Sequence, residues 1–219
     1  MTSRPTLLVM AKAPRVGVGK SRLAADVGRV EAWRINRALH ALTLRVACDP
    51  RWRTLLCVTP DAATALDLPS VWPRDLPRHA QGKGDLGARL ARALARYRNV
   101  AVIGTDCPGL TRAHIAAAFA ALKRTPFTLG PARDGGFWLL GARSGAAAAR
   151  AMGDVRWSTQ HAAADVERNL GVGAVTRIAQ LADVDVAADR RPRALSACPR
   201  PPPAVSAWRG QDIQVCAGF

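Results

Sequence analysis

The sequence has few lysines, few aromatic residues and no long hydrophobic run. Four of its 32 basic residues are lysines, and aromatic residues make up 5% of the chain. No stretch approaches the roughly 20 apolar residues that cross a bilayer, so we expect no membrane span. The apolar stretch at residues 6–10 is too short for the core of a signal peptide, and we expect a cytoplasmic location.

Cysteine is sparse, and its spacing in the sequence shows no paired motif. The five cysteines are scattered, and no two of them form a CxxC pair. This spacing excludes a disulfide framework and a zinc knuckle. Cys107 lies next to Asp106, but no histidine is near it in sequence, and we interpret Cys107 as a small buried thiol.

Acidic residues are half as numerous as basic ones. The chain has 32 basic and 16 acidic residues, which gives a net charge of +16. This charge favours anionic ligands in general. The arginines are spread along the whole chain, and no basic motif is interleaved with aromatic residues, so we expect no specific nucleic-acid partner. A non-enzymatic binder of nucleotides or nucleic acid stays as an alternative.

What the sequence does contain is an alternation of apolar strands and amphipathic helices. At 219 residues the chain is long enough for one sizeable core. The alternation predicts a three-layer α/β/α fold with a mostly parallel central sheet. Predicted strands cover residues 6–10, 53–59, 100–104, 127–131, 137–141 and 172–178, and predicted helices cover 21–47, 85–97, 112–123 and 161–170.

The last part of the chain has a different composition. Arginine and proline dominate after about residue 189, and this composition is typical of polyproline or disordered chain. We therefore predict a domain at residues 1–189 and a Pro/Arg-rich tail at residues 190–219.

The loop after the first predicted strand, AKAPRVGVGKSRL, combines glycines with basic residues. Glycines let backbone N–H groups approach an oxyanion, and the bases add positive charge beside a helix start. GVGKS partly matches the P-loop pattern, but Pro14 stands where that pattern needs its first glycine. A P-loop ATPase and an ordinary solvated loop both stay as alternatives. The residues concerned are Gly17, Gly19, Lys12, Lys20 and Arg22.

Acids follow the later strands. Asp106 comes directly after the apolar strand at residues 100–104, at the sheet edge where ligands bind in open α/β folds. Thr111 is better placed to cap the next helix, which leaves Asp106 for chemistry. Asp134 begins the DGG segment at another strand end, although such a segment is most often a turn. Asp85 is able to cap the helix that follows it.

These loops together supply glycines, basic side chains and at least two carboxylates. This combination suits a nucleotide diphosphate that is bridged to Mg²⁺ or Mn²⁺, because these ions prefer one or two carboxylates and phosphate oxygens. Such an ion offsets the negative charge of the leaving group. His40 and His114 fall in helices and are interpreted as packing or surface residues, while His79 and His161 lie nearer the loops.

Five segments occur in the order and approximate spacing of a bacterial family. They are AKAP…GKSRLA, QGKGDLGARL, IGTDCPGL, LGPARDGGFWLLG and RWST. Over residues 6–185 the chain resembles the radical-SAM/selenodomain-associated transferases, a family of predicted glycosyltransferases with the GT-A, or nucleotide-diphospho-sugar transferase, fold. It is more distantly similar to molybdenum-cofactor and phospholactate guanylyltransferases.

The resemblance implies a role for each matching residue. It implies catalytic roles for Asp106 and Asp134, and a metal site of Asp106, Asp183 and Asp185 for Mg²⁺ or Mn²⁺. It implies that the sugar or acceptor side is formed by Gly135, Gly136, Trp157, Ser158 and Thr159. It implies that the nucleotide is bound by Ala11, Lys12, Gly17, Gly19, Lys20, Arg22, Gly82, Asp85 and Thr105.

The implied activity is metal-dependent transfer of a sugar from a nucleotide-diphosphate donor to a small-molecule acceptor. The alternative within the same fold is a guanylyl- or cytidylyl-type nucleotidyltransferase, in which a phosphorylated acceptor attacks the α-phosphate. Both reactions need the same metal and the same basic side chains, and the sequence does not distinguish between the two reactions.

Overall fold

The computed structural model describes residues 4–68, 70–171 and 173–184. The predicted tail at residues 190–219 and the predicted metal ligand Asp185 lie outside this part of the chain. Within it, no helix has both the length and the apolar character that a membrane crossing requires.

The elements alternate as the sequence predicts. Strands are β1 (Thr6–Lys12), β2 (Arg53–Thr59), β3 (Arg78–Ala80), β4 (Arg98–Ile103), β5 (Phe127–Pro131), β6 (Phe137–Ser144) and β7 (Val175–Arg177). Helices are α1 (Ser21–Val27), α2 (Arg29–Ala47), α3 (Leu86–Ala95), α4 (Arg112–Ala121), α5 (Gly145–Arg150) and α6 (Ala162–Leu170).

The seven strands form one sheet in the order β3-β2-β1-β4-β6-β5-β7. Strands β1, β2, β3 and β4 are parallel, and β7 is parallel to β5. Strand β6 runs antiparallel to both β4 and β5. The fold is therefore a mixed α/β fold with a mostly parallel central sheet, and β4 is the middle strand, as expected.

The central strands are apolar over their buried middle residues, as expected for a sheet that helices cover on both faces. In β1, Leu7 and Val9 belong to one hydrophobic cluster, while Leu8 between them belongs to the other. In β4, Ile103 joins the first cluster and Val102 joins the second. Because successive side chains point to opposite faces of each strand, one apolar layer forms on each side of the sheet.

Several element boundaries differ from the expectation. Strand β1 continues through Lys12, where a loop from residue 11 was expected, because it keeps its register with β2 as far as Thr59. The helical segments expected over residues 21–47 are the two helices α1 and α2, which meet at Gly28, with φ of 82°. Helix α5 was not expected; Ser144 caps it by accepting a hydrogen bond from the Ala147 N–H.

The sheet order decides which residues can meet. The parallel strands β1, β2 and β4 place their carboxyl ends at one edge of the sheet. Because β6 is antiparallel to β4, its first residue, Phe137, lies at that same edge. Segments that are far apart in sequence therefore converge there.

Candidate functional site

A cavity of about 960 Å³ opens at this edge of the sheet. Its lining comes from the first loop, the ends of β1, β2 and β4, the turn between β5 and β6, and the segment before α6. The predicted site residues that line it are Ala11, Lys12, Gly19, Lys20, Arg22, Thr105, Asp106, Asp134, Gly136, Trp157, Ser158, Thr159 and Asp183.

An ion pair between Lys20 and Asp106 joins the first loop to the end of β4. The Lys20 Nζ lies 3.1 Å from the Asp106 Oδ1, and it donates a hydrogen bond of 2.6 Å to the Val184 carbonyl. The Lys20 side chain is 8% exposed, whereas the Asp106 side chain is 45% exposed. Asp106 thus faces the glycine- and lysine-containing loop and keeps one side open to the cavity.

Asp183 is brought to the same place by the backbone. The Val184 N–H donates a hydrogen bond of 3.0 Å to the Asp106 carbonyl, which fastens residues 181–184 beside the end of β4. Burial, together with the nearby charges of Asp183 and Asp106, raises the pKa of the Cys107 thiol to about 12. Cys107 is therefore a protonated thiol at neutral pH, and the thiolate needed for a nucleophile is disfavoured.

The donor set for a metal is small in the described part of the chain. No group of three or more histidines, cysteines and carboxylates is close enough there to hold an ion. Three carboxylates, from Asp106, Asp134 and Asp183, do line the cavity, and Asp106 and Asp183 are the two predicted as metal ligands. Two carboxylates with the remaining ligands supplied by phosphates and water are the usual environment of Mg²⁺.

Besides the Lys20 contacts, two hydrogen bonds hold the first loop against the rest of the molecule, and a third closes a turn within the loop. The Trp33 indole N–H on α2 donates to the Pro14 carbonyl at 3.1 Å. The Ala13 N–H donates to the Thr59 carbonyl, and the Val18 N–H donates to the Arg15 carbonyl. Lys12, the last residue of β1, and Arg22, in the first turn of α1, flank this loop, are exposed and line the cavity.

Four predicted site residues lie outside the described cavity lining. Asp85 caps α3, because its carboxylate accepts a hydrogen bond of 2.8 Å from the Ala88 N–H. The Gly82 N–H donates to the Asp61 carboxylate at 2.9 Å. Gly17 borders a smaller cavity between the loop and α2. Gly135 has a φ of 86° and packs against the Gln160 backbone, where a Cβ would overlap the carbonyl.

The residues predicted to form the sugar or acceptor side lie in two turns that touch. In the first, the Asp134 Oδ1 accepts a hydrogen bond of 2.9 Å from the Gly136 N–H. The Gly135 carbonyl accepts a hydrogen bond from the Ala163 N–H at the start of α6. The Phe137 and Trp157 rings then meet edge to face, with centroids 6.2 Å apart.

Asp165 fixes the segment that carries Trp157. It is fully buried on α6 and accepts hydrogen bonds from the Arg156 backbone N–H and guanidinium and from the Arg168 guanidinium. The Arg156 hydrogen bonds hold the pKa of the Asp165 carboxyl well below its usual range. The turn at residues 156–160 is thus preorganised by a charged anchor outside the cavity.

Sequence reasoning missed several residues of the cavity. Asn36 and His40 on α2 are buried polar residues that line it, and Gln81 is fixed there by donating to the Ala11 and Cys57 carbonyls. The signal in the sequence is the polar series at positions 36, 40 and 43, which interrupts the buried face of an amphipathic helix. Leu86, Arg89, Phe137 and Trp138 also line the cavity.

The histidines divide as follows. His40 is 1% exposed and packs against Trp72, which agrees with a packing role but adds a position at the cavity. His114 completes the capping box of α4, in which Thr111 is the N-cap, as predicted. His79 lies on β3, and His161 is the residue before α6.

Comparisons with solved structures agree with this architecture. A candidate nucleotide-diphospho-sugar transferase from Desulfovibrio desulfuricans G20 is 25% identical, with a TM-score of 0.72 over 84% of each chain. The Mycobacterium tuberculosis H37Rv protein Rv0371c, in a complex with manganese, is 17% identical, with a TM-score of 0.51 over 85% of this chain and 96% of that one.

A third structure, 4-diphosphocytidyl-2C-methyl-D-erythritol synthase from Anaerococcus prevotii DSM 20548, is 9% identical, with a TM-score of 0.54 over 85% of this chain and 92% of that one. At such identities the likeness to the last two proteins concerns the fold. No curated protein matches the sequence.

The fold is that of the nucleotide-diphospho-sugar transferases, and the similarity to the Desulfovibrio desulfuricans protein places the chain among transferase-like enzymes. Residues 39–159, more than half of the chain, match the family described as "uncharacterized protein conserved in bacteria (DUF2064)". The chain therefore belongs to the DUF2064 family.

Proposed function

We propose that this protein is a metal-dependent transferase that takes a nucleotide-diphosphate-sugar donor and passes the sugar to a small-molecule acceptor. The observation that carries the proposal is the Lys20–Asp106 pair at the mouth of the cavity, with 3.1 Å between the ammonium and the carboxylate. It brings a base-rich loop and a half-exposed acid to one sheet edge. The narrower resemblance, to transferases associated with radical-SAM and selenodomain proteins, is part of this proposal.

Asp106 and Asp183 are the described residues that would hold Mg²⁺ or Mn²⁺, and Asp185 is proposed as a further ligand. Both described carboxylates line the cavity, and the Asp106 side chain is 45% exposed. A bound ion would supply positive charge to the diphosphate leaving group. The manganese complex of the fold neighbour from Mycobacterium tuberculosis supports this choice of ion.

The basic residues at the cavity have two proposed roles, positioning of Asp106 and binding of phosphate. Lys20 is largely buried, and its ammonium orients the Asp106 carboxylate and fastens residues 181–184. Lys12 and Arg22 are exposed at the cavity and are placed to bind phosphate oxygens. Such contacts are charge-assisted, which makes them about twice as strong as neutral hydrogen bonds.

Asp134, Gly136 and Trp157 to Thr159 form the proposed acceptor side. Asp134 is the proposed acid–base residue there, since it lines the same cavity as Lys20 and Asp106. The edge-to-face pair of Phe137 and Trp157 offers an apolar surface of the kind that packs against a sugar ring. Gly135 contributes by allowing the two turns to approach each other.

Nucleotidyl transfer is the second candidate, because the fold is shared with a diphosphocytidyl-methylerythritol synthase. Incubation with a panel of small-molecule and phosphorylated acceptors, together with UDP- or GDP-sugars or, separately, with free nucleoside triphosphates, distinguishes the two reactions. Release of a nucleoside diphosphate supports sugar transfer, whereas release of pyrophosphate supports nucleotidyl transfer. Release of neither product by any donor would contradict both.

The donor and the metal are tested first by ligand-dependent stability. A ligand that binds the folded state at 100 times its Kd stabilises it by about 2.7 kcal/mol, and thermal unfolding with nucleotides and NDP-sugars, with and without Mn²⁺, detects this. Asp106→Asn is expected to abolish the part of this ligand-induced stabilisation that depends on Mn²⁺. The matched control is Asp67→Asn, which removes one acid from an exposed surface pair with Arg74. Full retention of that part in Asp106→Asn would exclude the proposed metal site.

The same variants separate the enzyme from a simple anion binder. A non-enzymatic nucleotide or nucleic-acid binder that depends on the net charge loses affinity steeply with salt and is insensitive to Asp106→Asn. A P-loop protein would instead lose binding mainly in Lys20→Ala. We expect Asp106→Asn to have the larger effect on metal-dependent binding.

A further inference from the structure

A buried histidine and a buried tryptophan form a hydrogen-bonded pair at the wall of the cavity. The Trp72 Nε1 donates to the His40 Nδ1 at 3.0 Å, and the two rings lie within 17° of parallel. Trp72 is fully buried, and His40 is 1% exposed. No step of the proposed function uses this pair.

The partner of His40 fixes the position of its proton. An indole N–H is a donor only, so the Nδ1 that receives it has to be an acceptor without a proton. In the neutral ring, the proton is then on Nε2. Burial, and secondarily the charge of Lys20, lowers the pKa of His40 to about 4, so the ring is neutral at physiological pH.

The surroundings hold the ring in this orientation. The guanidinium carbon of Arg78 lies 5.6 Å from the centre of the Trp72 ring, and Arg78 itself donates to the Leu66 and Pro73 carbonyls. Trp72 therefore has little freedom to rotate away from His40. With Nδ1 engaged, Nε2 is the polar atom that His40 presents to the cavity that it lines.

We propose that His40 donates a hydrogen bond from Nε2 to a phosphate oxygen of the bound nucleotide diphosphate, with Trp72 as the positioning residue that sets its tautomer. The proposal rests on the proposed function, because that function supplies the diphosphate. Phosphate is the expected acceptor since His40 lines the same cavity as Lys20, whose positive charge acts on it and which pairs with Asp106 at the proposed metal end of the site.

At this buried position, a neutral hydrogen-bond donor costs less to desolvate than a second positive charge beside Lys20 would. The Lys20 ammonium is already paired with Asp106 and lies close enough to oppose protonation of His40. An Nε2–H group binds an anionic oxygen without adding a second buried charge, which would be costly to desolvate. Asn36, one helical turn earlier on α2, also lines the cavity as a neutral polar residue.

The test is imidazole ¹⁵N NMR on the wild-type full chain, which has only four histidines. Long-range ¹H–¹⁵N correlations identify the tautomer of His40, and spectra are then recorded with Mg²⁺ and inorganic pyrophosphate, and with Mg²⁺ and GDP or UDP. Amide shifts at Gly19 and Thr105 report binding independently. His79 on β3, outside the cavity lining, is the internal reference.

We expect an Nε2–H tautomer whose Nε2 resonance shifts on binding while the His79 resonances stay in place. A proton on Nδ1 overturns the inference, and so does binding reported by Gly19 and Thr105 without any change at His40. Those two results leave the proposed function intact. Absence of binding by every probe overturns the inference and the proposed function together.

Variants give a second, independent measurement. His40→Leu removes the donor, and diphosphate affinity is expected to fall about ten- to hundredfold, as for loss of a hydrogen bond to a charged group. Because that change leaves the Trp72 N–H without its partner, His40→Leu is compared with the double variant His40→Leu/Trp72→Phe. His40→Gln, whose amide offers a donor at a similar reach, is expected to recover part of the affinity. Equal affinity in wild type and both folded Leu variants would contradict the proposal.

Discussion

At the scale of single residues, Asp165 shows how a charge outside the cavity controls a segment inside it. Its carboxylate is buried and receives hydrogen bonds from Arg156 and Arg168, which depress its pKa. The unfolded carboxyl titrates near pH 4, so the stabilisation is complete above that pH and is lost as the pH falls towards the folded pKa.

Asp165→Asn is expected to unfold at a lower temperature than wild type at pH 7, and the difference is expected to shrink below about pH 4. Thermal unfolding followed by circular dichroism from pH 7 to pH 3 measures it. Asp67→Asn, in the exposed pair with Arg74, is the matched control and should change little, because surface ion pairs contribute about 0–1 kcal/mol. If Asp165→Asn lowered the unfolding temperature by the same amount at every pH, the stabilisation would not come from the ionised Asp165 carboxylate.

Gly135 gives a second prediction at this scale. It combines a φ of 86° with direct packing against the Gln160 backbone. Gly135→Ala is expected to lower the free energy of unfolding by about 2 kcal/mol or more, since the left-handed region alone costs alanine roughly 1–2 kcal/mol. Urea denaturation compares it with Gly109→Ala, where an added Cβ meets open space. Equal stability of the two variants would show that the DGG turn tolerates a side chain.

At the scale of elements, the start of α3 illustrates two interpretations of one acid. The sequence resemblance implies nucleotide binding by Asp85, while its carboxylate accepts from the Ala88 N–H as an N-cap. We expect Asp85→Ala to cost about 1 kcal/mol of stability and Asp85→Asn to cost much less, because asparagine also caps helices.

The cap and the nucleotide are distinguished by measuring both properties on the same variants. Urea unfolding gives the stability, and nucleotide titration gives the affinity. If Asp85 acts as a cap alone, Asp85→Asn keeps the affinity of wild type. A drop in affinity with unchanged stability would instead support the nucleotide-binding role.

Element types were predictable from the sequence wherever the pattern was long and unambiguous. The apolar runs of β1, β2 and β4 and the caps Asp85 and Thr111 were found, since each depends on neighbours in sequence. Helix α5 was missed because its six residues are mostly alanine, with no polar face to give a period. His40 was missed as a cavity residue because its position depends on Trp72, 32 residues away.

At the scale of the whole molecule, the net charge of +16 is the dominant electrostatic property. Like charges on one surface repel one another and destabilise the compact state, and salt screens this repulsion. The screening length falls from about 30 Å at 0.01 M salt to about 8 Å at 0.15 M. Since basic residues outnumber acidic ones two to one, relief of repulsion should exceed the weakening of ion pairs.

We therefore expect the urea midpoint to rise when NaCl is increased from 0.01 M to 0.15 M. The measurement is made without nucleotide or divalent cation, and with chloride instead of phosphate, so that binding at the site does not contribute. Sucrose at equal osmolality is the control for general solvent effects. A midpoint that falls with NaCl would mean that ion pairs such as Arg156–Asp165 outweigh the net repulsion.

The antiparallel direction of β6 has a consequence for the connection that joins it to β5. Because β5 ends and β6 begins at the open edge, the five residues between them lie in the proposed acceptor region, and the pairing of β5 with β6 stops short of them. A longer or shorter version of this connection would change the proposed acceptor surface while the register of β5 with β6 stays as it is.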